Sequence, residues 1–365
     1  MHVTRKAGGR TLAALALSVV SLAGLTACGS SDDDNGGSTT AAAPAETAAA
    51  APAETTESSA KSLEGKTIAY IQAGSLDYYE YSANGAKLAV EALGGEAKVL
   101  NSELDLQKEQ ANVRDAITQG VDGIVIFPLS DASEKAAVRA ANQADIPISI
   151  VGIVALDDVQ PDIAGNAAVN FLDYSEALGA EFAKILPEGE IAMITGAAGR
   201  KEVVDFTTGF GEGLGDPSRI VQEVDGQYLR QKAFAAAQDL IAKYPDLKGL
   251  VVGNEDMAVG AIKGLGSKAS QVDVASQNGS PEGNALLDEG KLKVTVGASP
   301  SQEAVLSVRV LADDVAGQPD PDKICYTPFA INTPGDIQSQ PWEPTPELVQ
   351  EWLESECGPG SGSGA

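Results

Sequence analysis

Gly123-Ile124-Val125-Ile126-Phe127 and Gly249-Leu250-Val251-Val252-Gly253 carry no polar side chain at any position where a half-buried strand would alternate. Runs with no face for solvent suit strands covered on both sides, as in parallel sheets flanked by helices. Outward from these two, the chain from Lys66 onward repeats one unit: a short β-rich run, a small or polar loop, then an amphipathic helical stretch. The pattern predicts strands at 67–73, 97–100, 123–127, 147–151, 190–195, 220–224, 249–253, 272–276 and 293–297. Helices are expected near 79–93, 105–119, 131–144, 174–186, 202–214, 231–243, 255–265, 281–289 and 301–316. About nine such units exceed one doubly wound sheet and suit two. The predicted fold class is α/β, with two doubly wound parallel-sheet lobes.

Open sheets of this kind bind ligands beyond the carboxyl ends of their strands. The candidate binding residues are therefore those that follow each run: Tyr78 and Tyr79 after the first, Asp131 after the third, Tyr228 after the sixth, Asn254 after the seventh, Gln277 and Asn278 after the eighth. Tyrosine faces with amide hydrogen-bonders describe a pocket for a neutral polar ligand, since sugar C–H faces and planar rings stack on Tyr while amides satisfy hydroxyls.

Composition removes several classes of chemistry. The 365 residues carry 25 Lys plus Arg against 52 Asp plus Glu, a formal net charge of −27. Such a surface repels phosphate backbones, so no nucleic-acid partner is expected. The one histidine, His2, falls in a segment read below as cleaved, which removes His-based catalysis and His-ligated metal sites. Neither a dinucleotide-type nor a P-loop glycine motif follows any predicted strand. Gly209, Gly211, Gly213 and Gly215 alternate at the end of a helical stretch and read as its termination and turn. Glu255 and Asp256 open a helix, where carboxylates complement the macrodipole. No enzyme activity, cofactor or metal is expected.

The N-terminus places Arg5, Lys6 and Arg10 before the apolar run 12–25 and Leu25-Thr26-Ala27-Cys28. It resembles a bacterial lipoprotein signal peptide, with residues 1–27 removed and Cys28 lipidated; an ordinary secretory signal or an uncleaved anchor is the alternative. Residues 28–63 are rich in Ser, Ala, Pro, Thr and acidic residues and read as a disordered tether, Asp32-Asp33-Asp34 being a solvated charge run. Export to an oxidising compartment makes a disulfide the natural reading of Cys325 and Cys357, worth about 3 to 4 kcal/mol in the chain-entropy picture. Trp342 and Trp352 are expected to pack a closing amphipathic helix onto the body.

Several segments together resemble the type I periplasmic sugar-binding proteins of ABC importers, the ribose-binding type. They are Thr67-Ile68-Ala69, Tyr78-Tyr79, Asn84-Gly85-Ala86, Gly120 through Pro128, Ala141 through Pro147, Gly209-Phe210, Asn254 through Ala261, Asn278 through Gly283 and Leu292 through Val296. The resemblance covers nearly all of 66–332. It implies two lobes closing about a three-strand hinge near 168–170, 298–300 and 325–328. The N-terminal lobe would be 64–168 plus 299–325, the C-terminal lobe 169–298 plus 326–357, and 358–365 a flexible tail.

The resemblance further implies that Tyr78, Tyr79 and Tyr228 stack on the ligand and that Asn254 and Asn278 hydrogen-bond it. Three positions depart from the family's pattern: Gly152-Ile153 stand where Asp-Arg is usual, Val204 where an arginine is usual, and Ala298 where a glutamine is usual. A more apolar, nearly neutral cleft is the expectation, with Asp173 or Tyr174 as further candidates for its lining. The implied role is a monomeric solute receptor, lipid-anchored at the extracytoplasmic face of the cell membrane. It would bind a sugar or polyol and deliver it to an ABC permease with a separate ATPase. A sensory receptor, or a binder of a nucleoside or small aromatic compound, is the alternative.

Overall fold

A computed structural model describes residues 61–319, 323–338 and 340–358. The signal segment, Cys28, nearly all of the tether and most of the predicted tail lie outside the described residues. In the first half the elements run β1 (Thr67–Gln72), α1 (Asp77–Ala92), β2 (Glu96–Asn101), α2 (Leu106–Thr118), β3 (Gly123–Ile126), α3 (Asp131–Gln143), β4 (Ile148–Val151) and β5 (Gly165–Ala168). The second half repeats the scheme with α4 (Phe171–Ile185), β6 (Ile191–Thr195), α5 (Lys201–Leu214), β7 (Ile220–Asp225), α6 (Arg230–Lys243), β8 (Gly249–Val252), α7 (Glu255–Leu265), β9 (Asp273–Asn278), α8 (Pro281–Asp288) and β10 (Val294–Gly297). The chain ends with α9 (Pro300–Val315), β11 (Ile324–Tyr326), β12 (Ala330–Asn332) and α10 (Pro346–Glu354).

Two six-stranded sheets result, ordered β2-β1-β3-β4-β5-β11 and β7-β6-β8-β9-β10-β12. All pairings are parallel except β10 with β12, which is antiparallel. The two glycine-led runs are central: β3 is fully buried between β1 and β4, and β8 between β6 and β9. In each sheet the order reverses at the first strand of the lobe, which opens a crevice between β1 and β3 and another between β6 and β8.

Local chemistry sets the helix starts. Asp105 accepts hydrogen bonds from the Gln107 and Lys108 amides ahead of α2, and Ser130 and Ser133 form a reciprocal cap on α3. Asn254 accepts from the Met257 amide at 2.8 Å and caps α7. Such caps are worth about 1 kcal/mol each. The alternating glycines do more than end a helix. Gly215 does terminate α5 at φ +75°, but a Cβ on Gly209 or Gly213 would lie 2.4 Å from the Leu172 carbonyl or 2.0 Å from that of Glu176, so these two let α5 seat directly on α4.

Strands β5, β11 and β12 escaped the hydropathy pattern. The sequence of β5 is Gly-Asn-Ala-Ala, small because α9 lies on it: a Cβ on Gly165 would stand 2.3 Å from Val310. The closing segment also differs from the expected lobe division. After β12 the chain returns to the first lobe, where Val349, Trp352 and Leu353 of α10 join the core beside Ala89 and Val308. The predicted three crossings are therefore four, at 169–170, 298–299, 327–329 and 333–345. The amphipathic face of α10 finds its apolar partner on α1 and α9, which is why it does not stay with the second lobe. Cys325 and Cys357 are bonded and tie the end of α10 back to β11. Among the described residues no helix is long and apolar enough to cross a membrane.

Candidate functional site

The carboxyl ends of both central strand pairs face one cavity of about 80 Å³. The first lobe supplies Tyr78 and Tyr79 from the start of α1 and Phe127 from the end of β3. Their rings meet edge to face, with centroids 5.0 Å apart for Tyr79 and Phe127 and 5.8 Å for the two tyrosines. Trp342 stands edge-on behind Tyr78 at 5.7 Å. Below them Gly152, at φ +77°, is obligatory: a Cβ there would sit 2.2 Å from the Phe127 ring. The position where the family's aspartate is usual is thus occupied by an aromatic ring. The Tyr78 hydroxyl donates to Glu303 Oε2 at 2.5 Å. Burial raises the Glu303 pKa to about 7, and the Tyr78 hydrogen bond partly opposes this.

The second lobe supplies polar groups. Asn254 presents itself at the end of β8 through the extended backbone of a helix cap. Gln277 and Asn278 end β9, and Asn278 holds φ 121°, a conformation that costs a non-glycine residue of order 1 kcal/mol or more. Tyr228 is also left-handed, at φ 57°, and its ring lies over Gly196, whose Cβ would come within 2.0 Å of it. Behind this loop the buried Glu255 accepts from the Gly279 amide at 3.0 Å, the Ser280 amide at 2.6 Å and the Thr295 hydroxyl at 2.6 Å. Burial raises its pKa to about 7, against the pull of those donors. Glu255 is therefore a brace for the 278–280 turn, and its neighbour Asp256 pairs with Arg230.

Charge enters the cavity through Arg200 and Glu202, at the start of α5. Arg200 Nε lies 2.6 Å from Glu202 Oε1, and both residues are more than nine-tenths buried. Burial works against the Arg200 charge, but Glu202 together with Tyr228, Tyr79 and Asp131 outweighs it and holds the guanidinium pKa above its ordinary value. Burial likewise pushes the Glu202 carboxyl up while Arg200 pulls it down. Two buried acceptors facing the cavity, Glu202 Oε2 and Gln277 Oε1, have no protein partner. An unpaired acceptor of this kind costs roughly 1 to 3 kcal/mol until a donor reaches it.

Of the residues predicted from sequence, Tyr78, Tyr79, Tyr228, Asn254, Gln277 and Asn278 converge on this cavity, and Tyr174 enters it as well. Asp131 does not line it, because as the first residue of α3 it stands outside the lining. The expectation of a nearly neutral cleft is corrected: Arg200, Glu202 and Glu303 all line it. Val204, at the position where an arginine is usual, is 52% exposed, and the cation comes instead from Arg200, one helical turn earlier. Nothing in the local sequence distinguishes Arg200 or Glu202 from surface charges at a helix start. Among the described residues no cluster of His, Cys, Asp or Glu could hold a metal ion.

Comparison with known proteins agrees with this architecture. The family described as Periplasmic binding protein domain matches residues 68–319. A ribose import binding protein of Salmonella typhimurium is 27% identical over 261 residues, covering 70% of this chain and 87% of its own. An ABC transporter solute binding protein from Mycobacterium smegmatis, solved with bound glycerol, superposes with a TM-score of 0.69 at 26% identity, covering 75% of this chain and 98% of its own. An ABC transporter solute binding protein from Bacillus halodurans, solved with bound myo-inositol, gives a TM-score of 0.69 at 23% identity, covering 80% and 98%, a likeness of fold.

Proposed function

The chain belongs to the periplasmic binding protein domain family, a family of binding proteins and not of enzymes, and on that premise we propose that it is the extracytoplasmic solute receptor of an ABC import system for a neutral, hydroxyl-rich ligand, a sugar or polyol. The carrying observation is the pair of buried acceptors without partners, Glu202 Oε2 and Gln277 Oε1, set among aromatic faces. A ligand with several O–H donors satisfies both, and the C–H faces of such a ligand pack on Tyr78, Tyr79, Phe127 and Tyr228. Asn254 and Asn278 supply further hydrogen bonds. An anion is disfavoured by Glu202, by Glu303 and by the net charge of −27. The ribose-binding and glycerol-bound relatives support this ligand class.

In this reading the chain is lipidated at Cys28, works as a monomer at the membrane surface, and hands its ligand to a permease driven by a separate ATPase. The abundance of aromatic side chains in the lining favours a second reading, a nucleoside or small aromatic ligand. A thermal-shift screen of the protein with its disulfide intact separates the two. A ligand at 100 times its Kd adds about 2.7 kcal/mol of stability. A shift with a sugar or polyol is expected; a shift confined to nucleosides or aromatics would replace the ligand class, and none at all would remove the receptor reading.

A further inference from the structure

Arg200 belongs to the second lobe, yet two of its three nitrogens leave it. Nη1 donates to the Leu129 carbonyl and Nη2 to that of Pro128, each at 3.2 Å. Both carbonyls lie in the turn between β3 and α3 of the first lobe. The third nitrogen, Nε, is held by Glu202 on its own lobe. One guanidinium thus spans the cleft mouth, with two corners hydrogen-bonded across it and the third in an ion pair with Glu202 that makes no well-aligned hydrogen bond, and the residue is only 9% exposed.

The first lobe is prepared for a cation at this point. Glu109 and Glu134 are almost completely buried there, and Asp131 opens α3 beside them. Glu109 accepts from the Leu129 amide at 2.7 Å, so the turn that receives Arg200 is itself tied to a buried carboxylate. Glu134 accepts from the Leu156 amide at 2.9 Å, and its other oxygen has no partner. The field of Arg200 acts on both glutamates, and Asp131 acts on Arg200 in return. Asp131, the first residue of α3, follows the Pro128–Leu129 turn at once.

We propose that Arg200 is the latch of the cleft: a positioning residue that Glu202 aims across the opening, so that a ligand held by Glu202 and closure against Pro128 and Leu129 stabilise one another. The inference rests on the solute-receptor reading for its ligand arm. A donor from the ligand fixes Glu202, Glu202 fixes the direction of the guanidinium fork, and the fork meets two carbonyls that are available only when the lobes are together. Lysine, whose three N–H donors all sit on one nitrogen, lacks the planar fork that reaches two carbonyls and a carboxylate in different directions.

The test is made on the full chain, carrying a donor and an acceptor dye on unnatural amino acids at the exposed positions Asp115, on α2, and Asp239, on α6. Inter-lobe distances are recorded without ligand and with D-ribose or myo-inositol as probes. Arg200→Gln is expected to lengthen the distance, with Arg200→Lys between it and the unsubstituted protein. A double-mutant cycle of Arg200→Gln with Asp131→Asn, read by equilibrium unfolding without ligand, is expected to be non-additive. Identical distances in every condition, or an additive cycle, overturns the latch. The cycle needs no ligand, so failure of every sugar and polyol to bind removes the ligand class and leaves the latch standing, while an additive cycle does the reverse.

Discussion

The first lobe meets the cleft with Tyr78, Tyr79 and Phe127, rings packed edge to face in front of Trp342, whereas the second adds to its rings, Phe171, Tyr174 and Tyr228, the hydrogen-bonding groups of Arg200, Glu202, Asn254, Gln277 and Asn278. Each wall is braced from behind by one buried glutamate, and the braces differ. Glu303 receives the Tyr78 hydroxyl, while Glu255 receives two amides and a hydroxyl and fixes a strained turn. The contrast teaches a division of labour. Packing alone can hold an aromatic platform in place, because dispersion is not directional, but hydrogen-bonding groups must be aimed, and aiming them takes charge, caps and strained backbone.

The most disruptive way to break this division is to give the first wall the family's usual polar group. Gly152→Asp would drive a side chain into Phe127 at a positive φ and should cost about 3 kcal/mol. Denaturant unfolding checks this; a midpoint unchanged from the unsubstituted protein would show that the platform yields easily. Next in size is the response to pH. Glu134, Glu255 and Glu303 have folded pKa values raised to about 7, above the ordinary glutamate value that the unfolded chain shows. The folded state then binds more protons between these limits, so their stabilising share is complete below the unfolded pKa and is lost as pH rises through 7. Melting temperature should fall between pH 5 and 8. Glu303→Gln should flatten that fall and add about 2 kcal/mol at pH 8, whereas Glu255→Gln, which forfeits a charged acceptor for two amides, should gain less or lose.

Smaller effects sharpen the polar wall. Gln277→Met removes one unpartnered acceptor and should raise the Kd for the bound sugar or polyol about tenfold, or about 1.4 kcal/mol; calorimetry that shows no weakening would take Gln277 out of the site. Asn254 has two duties, as cap of α7 and as lining of the cavity. Asn254→Ala should therefore lose about 1 kcal/mol of stability, while Asn254→Asp keeps the cap and loses only the amide donor. Equal stability losses in the two variants would deny the cap its part.

Much of this was legible beforehand because it is local. The strands from β1 to β4 and from β6 to β10 announce themselves as short β-rich runs between helical stretches, and several of the residues that follow them fall at the cleft since a parallel sheet sends every strand end to the same edge. Tyr78, Asn254 and Asn278 were found that way. The strands β5, β11 and β12 were not, because small residues and short edge pairings leave no hydropathy signal. The polarity of the cleft was misjudged for a related reason: three charged positions of the family are absent, and the compensating Arg200, Glu202 and Glu303 lie at helix starts, where charge is ordinary.

By itself, then, the sequence determined the alternation of strands and helices, the number of sheets and the strand edge on which the candidate residues converge, all consequences of spacing and composition. Only the tertiary structure decided that α10 packs on the first lobe, that Phe127 fills the space over Gly152, and that Arg200 reaches the opposite lobe. These depend on which surfaces meet across long stretches of chain, and burial, close contact and the pairing of charges exist only once those surfaces are brought together.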